Sequence, residues 1–107
     1  MNKEDVHIAV DFDKTLAYYE SGMETTKVGK PIVPMVEYVR YWLSVGYKVS
    51  IFTARVAPIG RSSTPRDEYF LKSQRAMIED FLRKVGLPLL DITAIKYPYF
   101  THFVDDK

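Results

Sequence analysis

The stretch Val6-His7-Ile8-Ala9-Val10-Asp11-Phe12-Asp13-Lys14-Thr15-Leu16 decides how the rest of the chain is read. Residues 6–10 are apolar apart from one histidine and alternate poorly, as a strand buried on both faces does. Two carboxylates follow at alternate positions. Alternate residues of an extended segment point the same way, so Asp11 and Asp13 can share one small space at the strand's end. Like charges that close repel, and one is driven towards protonation unless a cation lies between them. The pair therefore fits a proton-sharing dyad or an oxygen-lined site for a hard cation such as Mg2+. It equally fits a solvated strand end, where aspartates cap and turn the chain.

Moving outward, residues 17–33 carry Gly22, Gly29 and Pro31 and read as an irregular loop or small hairpin. A helix is expected from Pro34, with Val36, Val39, Tyr41, Trp42 and Leu43 as its apolar positions and Gly46 as its stop. Residues 48–53 form a second strand, rich in branched and aromatic side chains. A polar loop over 55–64 leads to Thr64-Pro65 and Asp67, a capping hydroxyl, a first-turn proline and a carboxylate three residues on. The helix they open runs to about Lys84, and Gly86 and Pro88 end it. Residues 91–95 make a third strand and Phe103-Val104 a short fourth.

At 107 residues, with 47% hydrophobic and 27% charged side chains, the chain suits one soluble domain. A net charge of +1 gives no global attraction to nucleic acid or an acidic membrane. No cysteine is present, which excludes disulfides, thiolate metal sites and cysteine nucleophiles. The charged start and the lack of a long apolar run give no expectation of a signal peptide, a membrane span or a membrane partner. A cytoplasmic protein is expected.

Strands alternating with helices predict a parallel sheet joined by right-handed crossovers, and ligands of such folds sit beyond the carboxyl ends of the strands. Asp11 and Asp13 follow the first strand, Thr53 ends the second, Lys96 follows the third, and Asp105 and Asp106 follow the last. Topology thus gathers polar residues that are distant in sequence. Lys72 rivals Lys96 for the cationic place, but lies in mid-helix. His7 and His102 read as packing or surface residues, and Tyr18, Tyr19, Tyr38 and Tyr41 as packing or half-buried surface residues.

In these positions the chain resembles the haloacid dehalogenase superfamily of phosphatases and phosphotransferases. Asp11-Phe12-Asp13-Lys14-Thr15 matches its Asp-x-Asp-x-Thr motif after a strand. Ile51-Phe52-Thr53 matches its strand-ending Thr or Ser, Lys96 its lysine, and Phe103-Val104-Asp105-Asp106 its closing acidic pair. The resemblance implies a three-layer Rossmann-like sheet of order 3-2-1-4, with helices on both faces and no separate cap domain. It implies that Asp11 is a nucleophile forming an aspartyl-phosphate, and that Asp13 is the acid and base. It further implies that Thr53 and Lys96 hold the phosphoryl group. Mg2+ would be held by Asp11, the Asp13 backbone carbonyl and the acidic pair, with Asp106 the direct ligand and Asp105 behind it or exchanging with it.

Family members usually continue past the acidic pair, whereas this sequence stops at Lys107. The expectation is one core domain over 1–107, either minimal or truncated after its final motif. A capless site is open, which favours a macromolecular end, a substrate reached by a partner's surface, or loose selectivity. Arg55, Arg61, Arg66, Lys72 and Arg75 add positive charge along the loop and second helix, with Arg55 placed to bind substrate. The expected substrate is a phosphate monoester, a nucleotide or a nucleic-acid 3′ phosphate among the candidates. The alternative is a non-catalytic or signalling domain that keeps the fold and metal site. A response-regulator receiver is disfavoured, because its acidic pair comes early and its phosphorylated aspartate ends a later strand.

Overall fold

The computed structural model describes residues 5–19, 27–57 and 64–105. Four strands, β1 (His7–Asp11), β2 (Lys48–Phe52), β3 (Asp91–Thr93) and β4 (His102–Val104), are joined through two helices, α1 (Val33–Ser44) and α2 (Pro65–Lys84). The strand pairings are parallel, and the order across the sheet is β3-β2-β1-β4. This is the expected α/β sheet, and the described residues include no separate cap.

Local chemistry sets the helix ends. In the α2 capping box, the Asp67 N–H donates to Thr64 Oγ1 at 3.2 Å and the Thr64 N–H donates to Asp67 Oδ2 at 3.1 Å. These bonds occupy donors that a helix start leaves unpaired. At the far ends, Gly46 and Gly86 adopt φ of 95° and 78°, which glycine takes without a Cβ clash and which stops a helix. Arg40 of α1 ties the helices together, donating to the Val85 carbonyl at 2.9 Å and the Gly86 carbonyl at 3.2 Å. A cation therefore lies where the end of α2 has carbonyls to satisfy.

The central strand, β1, divides the protein by its alternation. Ile8 and Val10 pair with Val49 and Ile51, and Ile51 pairs with Ile92, so these side chains share one face. There they join Val36 and Val39 of α1 and Ile78, Phe81 and Leu82 of α2 in one buried cluster. Both crossovers step the same way along the sheet, and right-handed connections then place both helices on that face. Phe12 extends it, meeting Phe81 edge-on with centroids 5.1 Å apart. Each large apolar side chain so buried contributes about 1.5–3 kcal/mol.

His7, Ala9 and Asp11 point to the opposite face, in register with Lys48, Ser50 and Phe52, and Phe103 pairs with Ala9. Helices on both faces were expected, but among the described residues the irregular segment 94–101 covers this one. Its sequence explains the difference. Pro98 sits second in a turn closed by the Phe100 N–H donating to the Tyr97 carbonyl at 3.2 Å, the place where proline's fixed φ is favourable. The turn lays rings on the sheet: Tyr99 stacks between His7 and Tyr97, with both centroid separations 4.9 Å. Phe100 meets His7 and Phe103 edge-on. Beneath them His7 Nε2 and Ser50 Oγ share a 2.7 Å hydrogen bond.

Burial pushes the His7 pKa below its ordinary 6.5, Lys48 lowers it further, and Asp91 opposes both. The folded protein thus holds this proton less firmly than the unfolded chain. The His7 contribution is complete above pH 6.5 and is lost as pH falls from there through the lower folded-state pKa, because the unfolded chain gains the proton first. Denaturant unfolding between about pH 8 and about 5.5 should show this decline, and His7→Gln should make it shallower.

Candidate functional site

Parallel strands bring their carboxyl ends to one edge, and β1 presents Asp11 there on the face opposite α1 and α2. Asp11, Lys96 and Asp105 line one cavity of about 110 Å³, walled by Ala9, Phe52 and Phe103. That is well above the ~10–15 Å³ one water requires, so a small ion or a phosphoryl group fits. The Lys96 ammonium lies 5.9 Å from the Phe52 ring centroid and 5.6 Å from that of Phe103. Ring faces attract a cation at this range, and the two rings, themselves edge to face at 6.2 Å, keep Lys96 on the cavity wall. The Phe12 N–H donates to Asp11 Oδ1 at 3.2 Å. A cation and two carboxylates from three separate segments thus face one space.

Asp13 is held differently. The loop after β1 coils tightly, the Phe12 carbonyl accepting from the N–H groups of Thr15, Leu16 and Ala17 at 3.3, 2.9 and 3.0 Å. The Lys14 N–H donates to the Ala17 carbonyl at 2.8 Å, and Lys14 adopts φ of 70°, a left-handed conformation that a non-glycine residue rarely occupies. Behind the loop, Tyr18 and Ile32 donate to the carbonyls of Lys30 and Leu16. A Cβ at Gly29 would collide with the Tyr18 carbonyl, so only glycine permits this approach. Thr15 is 3% exposed, and its hydroxyl has no hydrogen-bond partner among the described residues. Such a buried group is one that a ligand or ordered water usually satisfies.

Both Asp13 oxygens accept from Arg55, Oδ2 from Nε at 2.8 Å and Oδ1 from Nη2 at 2.9 Å. Arg55 Nη1 also donates to Gln74 Oε1 at 3.2 Å, and the guanidinium lies 5.8 Å from the Phe12 ring centroid. Thr53, 2% exposed, closes the turn that makes this possible: its Oγ1 accepts the Arg55 N–H at 3.2 Å and caps the 3-10 turn Ala54–Val56. Arg55, expected to reach for substrate, here braces Asp13. Thr53 does not line the Asp11 cavity.

The oxygen donors suit Mg2+, which keeps much of its water and binds through one or two carboxylates. Among the described residues no three His, Asp or Glu side chains form a metal-holding group. Asp106, expected as the direct ligand, lies outside the described residues, as does Arg61. A second cavity, about 580 Å³, runs along β3. No helix among the described residues is long and apolar enough to cross a membrane. Comparison with protein-family models, curated proteins and solved structures gives no match for this chain.

Gln74, 1% exposed, was missed in the sequence. It lies four residues before Ile78 on the apolar stripe of α2, and a polar side chain there needs a buried partner. Arg55→Ala should lower the unfolding free energy by about 2 kcal/mol, since it strips two charge-assisted bonds from Asp13 and one from Gln74. Urea denaturation measures this, with Arg55→Lys expected to recover only part of the loss.

Proposed function

We propose that the protein is a haloacid-dehalogenase-like phosphatase that uses Mg2+ to hydrolyse a phosphate monoester. The observation that carries this reading is the cavity in which Asp11, Lys96 and Asp105 meet at the carboxyl edge of a 3-2-1-4 sheet. A phosphate monoester is anionic and repels a carboxylate, so attack requires charge neutralisation and an in-line approach. Lys96 supplies positive charge beside Asp11. Asp11 and Asp105, with the Asp13 backbone carbonyl and Asp106, would hold Mg2+, which when bound offsets negative charge on the phosphoryl oxygens.

An Asp11 carboxylate oxygen attacks phosphorus, the bond to the leaving oxygen breaks, and that oxygen takes a proton from Asp13. Water then attacks the phosphorus of the aspartyl-phosphate, gives its proton to Asp13, and phosphate and the free Asp11 carboxylate are released. Arg55 takes one lone pair of each Asp13 oxygen, so the proton for the leaving oxygen is carried on a remaining one or displaces an Arg55 bond. The family resemblance adds the Thr53 hydroxyl as a phosphoryl donor, a role that requires a movement at the turn Ala54–Val56, since Thr53 is 2% exposed and stands outside the Asp11 cavity.

The Arg55 brace is also the observation that favours the non-catalytic alternative, a metal-binding domain whose Asp13 is a structural anchor. The two readings separate in one assay. Phosphate release from p-nitrophenyl phosphate should require Mg2+ and fall at least about a thousandfold in Asp11→Asn. Mg2+ binding without release would favour the alternative, and release that survives Asp11→Asn would remove Asp11 from the nucleophile's role.

A further inference from the structure

The 580 Å³ groove along β3 has no part in the proposed chemistry, yet it adjoins the site. Phe52 lines the Asp11 cavity and Thr93 lines the groove. These residues pair directly across β2 and β3, so they share a face and lie about 5 Å apart. The chain confirms the adjacency from the other side: Lys96 lines the cavity while its neighbours Ile95 and Tyr97 line the groove. One short wall separates them.

The groove has a particular lining. The stack His7–Tyr99–Tyr97 ends on Tyr97, and among the described residues no further ring stacks on it. Arg75 and Glu79 of α2 and Asp91 of β3 bring hydrogen-bonding groups to the same space. Arg75 already donates to the Ile92 carbonyl at 2.8 Å, which fixes its guanidinium at the groove wall. The volume lies in the range of pockets that hold small molecules, about 300–1,000 Å³. A ligand suited to both spaces carries a phosphoryl group at one end and a flat, hydrogen-bonding ring system at the other.

We propose that the substrate is a phosphorylated nucleoside, free or at the end of a strand, whose base extends the aromatic stack on Tyr97 while its phosphate lies between Asp11 and Lys96. This rests on the phosphatase reading for the phosphate end, but the base site stands on the groove alone. Stacking on an aromatic ring recognises any base, so the site selects nucleosides as a class. A sugar phosphate or glycerol phosphate fills the cavity and leaves the groove empty.

Adenosine, which has no phosphate, isolates the base site. Titrated into the 15N-labelled protein, it should shift amides over 93–100, and Tyr97→Leu should weaken that binding about tenfold while Tyr97→Phe retains it. Amide dispersion in the same spectra reports whether each variant is folded. In parallel, kcat/KM for adenosine monophosphate, and for an oligonucleotide bearing a 3′-phosphate, is compared with that for glycerol phosphate. A preference of at least about tenfold for either, reduced by Tyr97→Leu, supports the proposal, and the better of the two identifies the source. Adenosine binding without any phosphate release would keep the base site and defeat the phosphatase reading. Phosphate release with no preference, or adenosine shifts unchanged in Tyr97→Leu, would overturn the base site and leave the phosphatase reading intact.

Discussion

The two-residue alternation of β1, held at the centre of the sheet, is the constraint on which the remaining structure depends. Its even positions, Ile8 and Val10, are committed to the core beneath both helices. Its odd positions, His7, Ala9 and Asp11, must then point to the other face. A one-residue slip would bury Asp11 among Ile78, Phe81 and Leu82, at the cost of an unpaired charge in an apolar interior. Core packing therefore aims the candidate nucleophile. The face opposite α1 and α2 leaves room at the carboxyl edge for Phe52, Lys96, Phe103 and Asp105 to gather around it.

Two sets of charges flank the first strand's end, and the structure keeps them apart. Lys96 is held by aromatic rings, which attract a cation without consuming its hydrogen-bond donors. The Arg55 guanidinium donates to Asp13 and Gln74, and its backbone N–H donates to Thr53 Oγ1. The first arrangement leaves the ammonium able to meet an anion. The second gives rigidity: Asp13 sits on a coiled loop with a left-handed Lys14 and is braced from behind by a guanidinium that is itself anchored. In the proposed reaction, proton transfer at Asp13 is coupled to the integrity of this brace, because the same oxygens serve both.

Much of this was legible in the sequence. Thr64, Asp67, Gly46 and Gly86 marked helix ends by local chemistry that needs no tertiary context. The parallel sheet followed from strands alternating with helices, its order from the family resemblance, and the gathering of Asp11, Lys96 and Asp105 from the common carboxyl edge of parallel strands. Side-chain direction was less legible. Nothing local in Thr53-Ala54-Arg55 says that the guanidinium turns back 42 residues to Asp13, since that depends on how a 3-10 turn meets the loop after β1. The third crossover was also opaque: Tyr97, Tyr99 and Phe100 cover a face where a helix was expected, because Pro98 makes a turn and the rings supply the buried area. Asp106 lies beyond the described residues, so its expected place beside Asp105 remains a sequence-based expectation.

The central claim is that Asp11, with Lys96 and Asp105 around it, accepts a phosphoryl group. Beryllofluoride, which mimics a phosphoryl group on a carboxylate, tests that directly by 19F NMR. A bound resonance that requires Mg2+ and disappears in Asp11→Asn is the expected result. No bound resonance in the folded wild-type protein, or one that persists in folded Asp11→Asn, would contradict it.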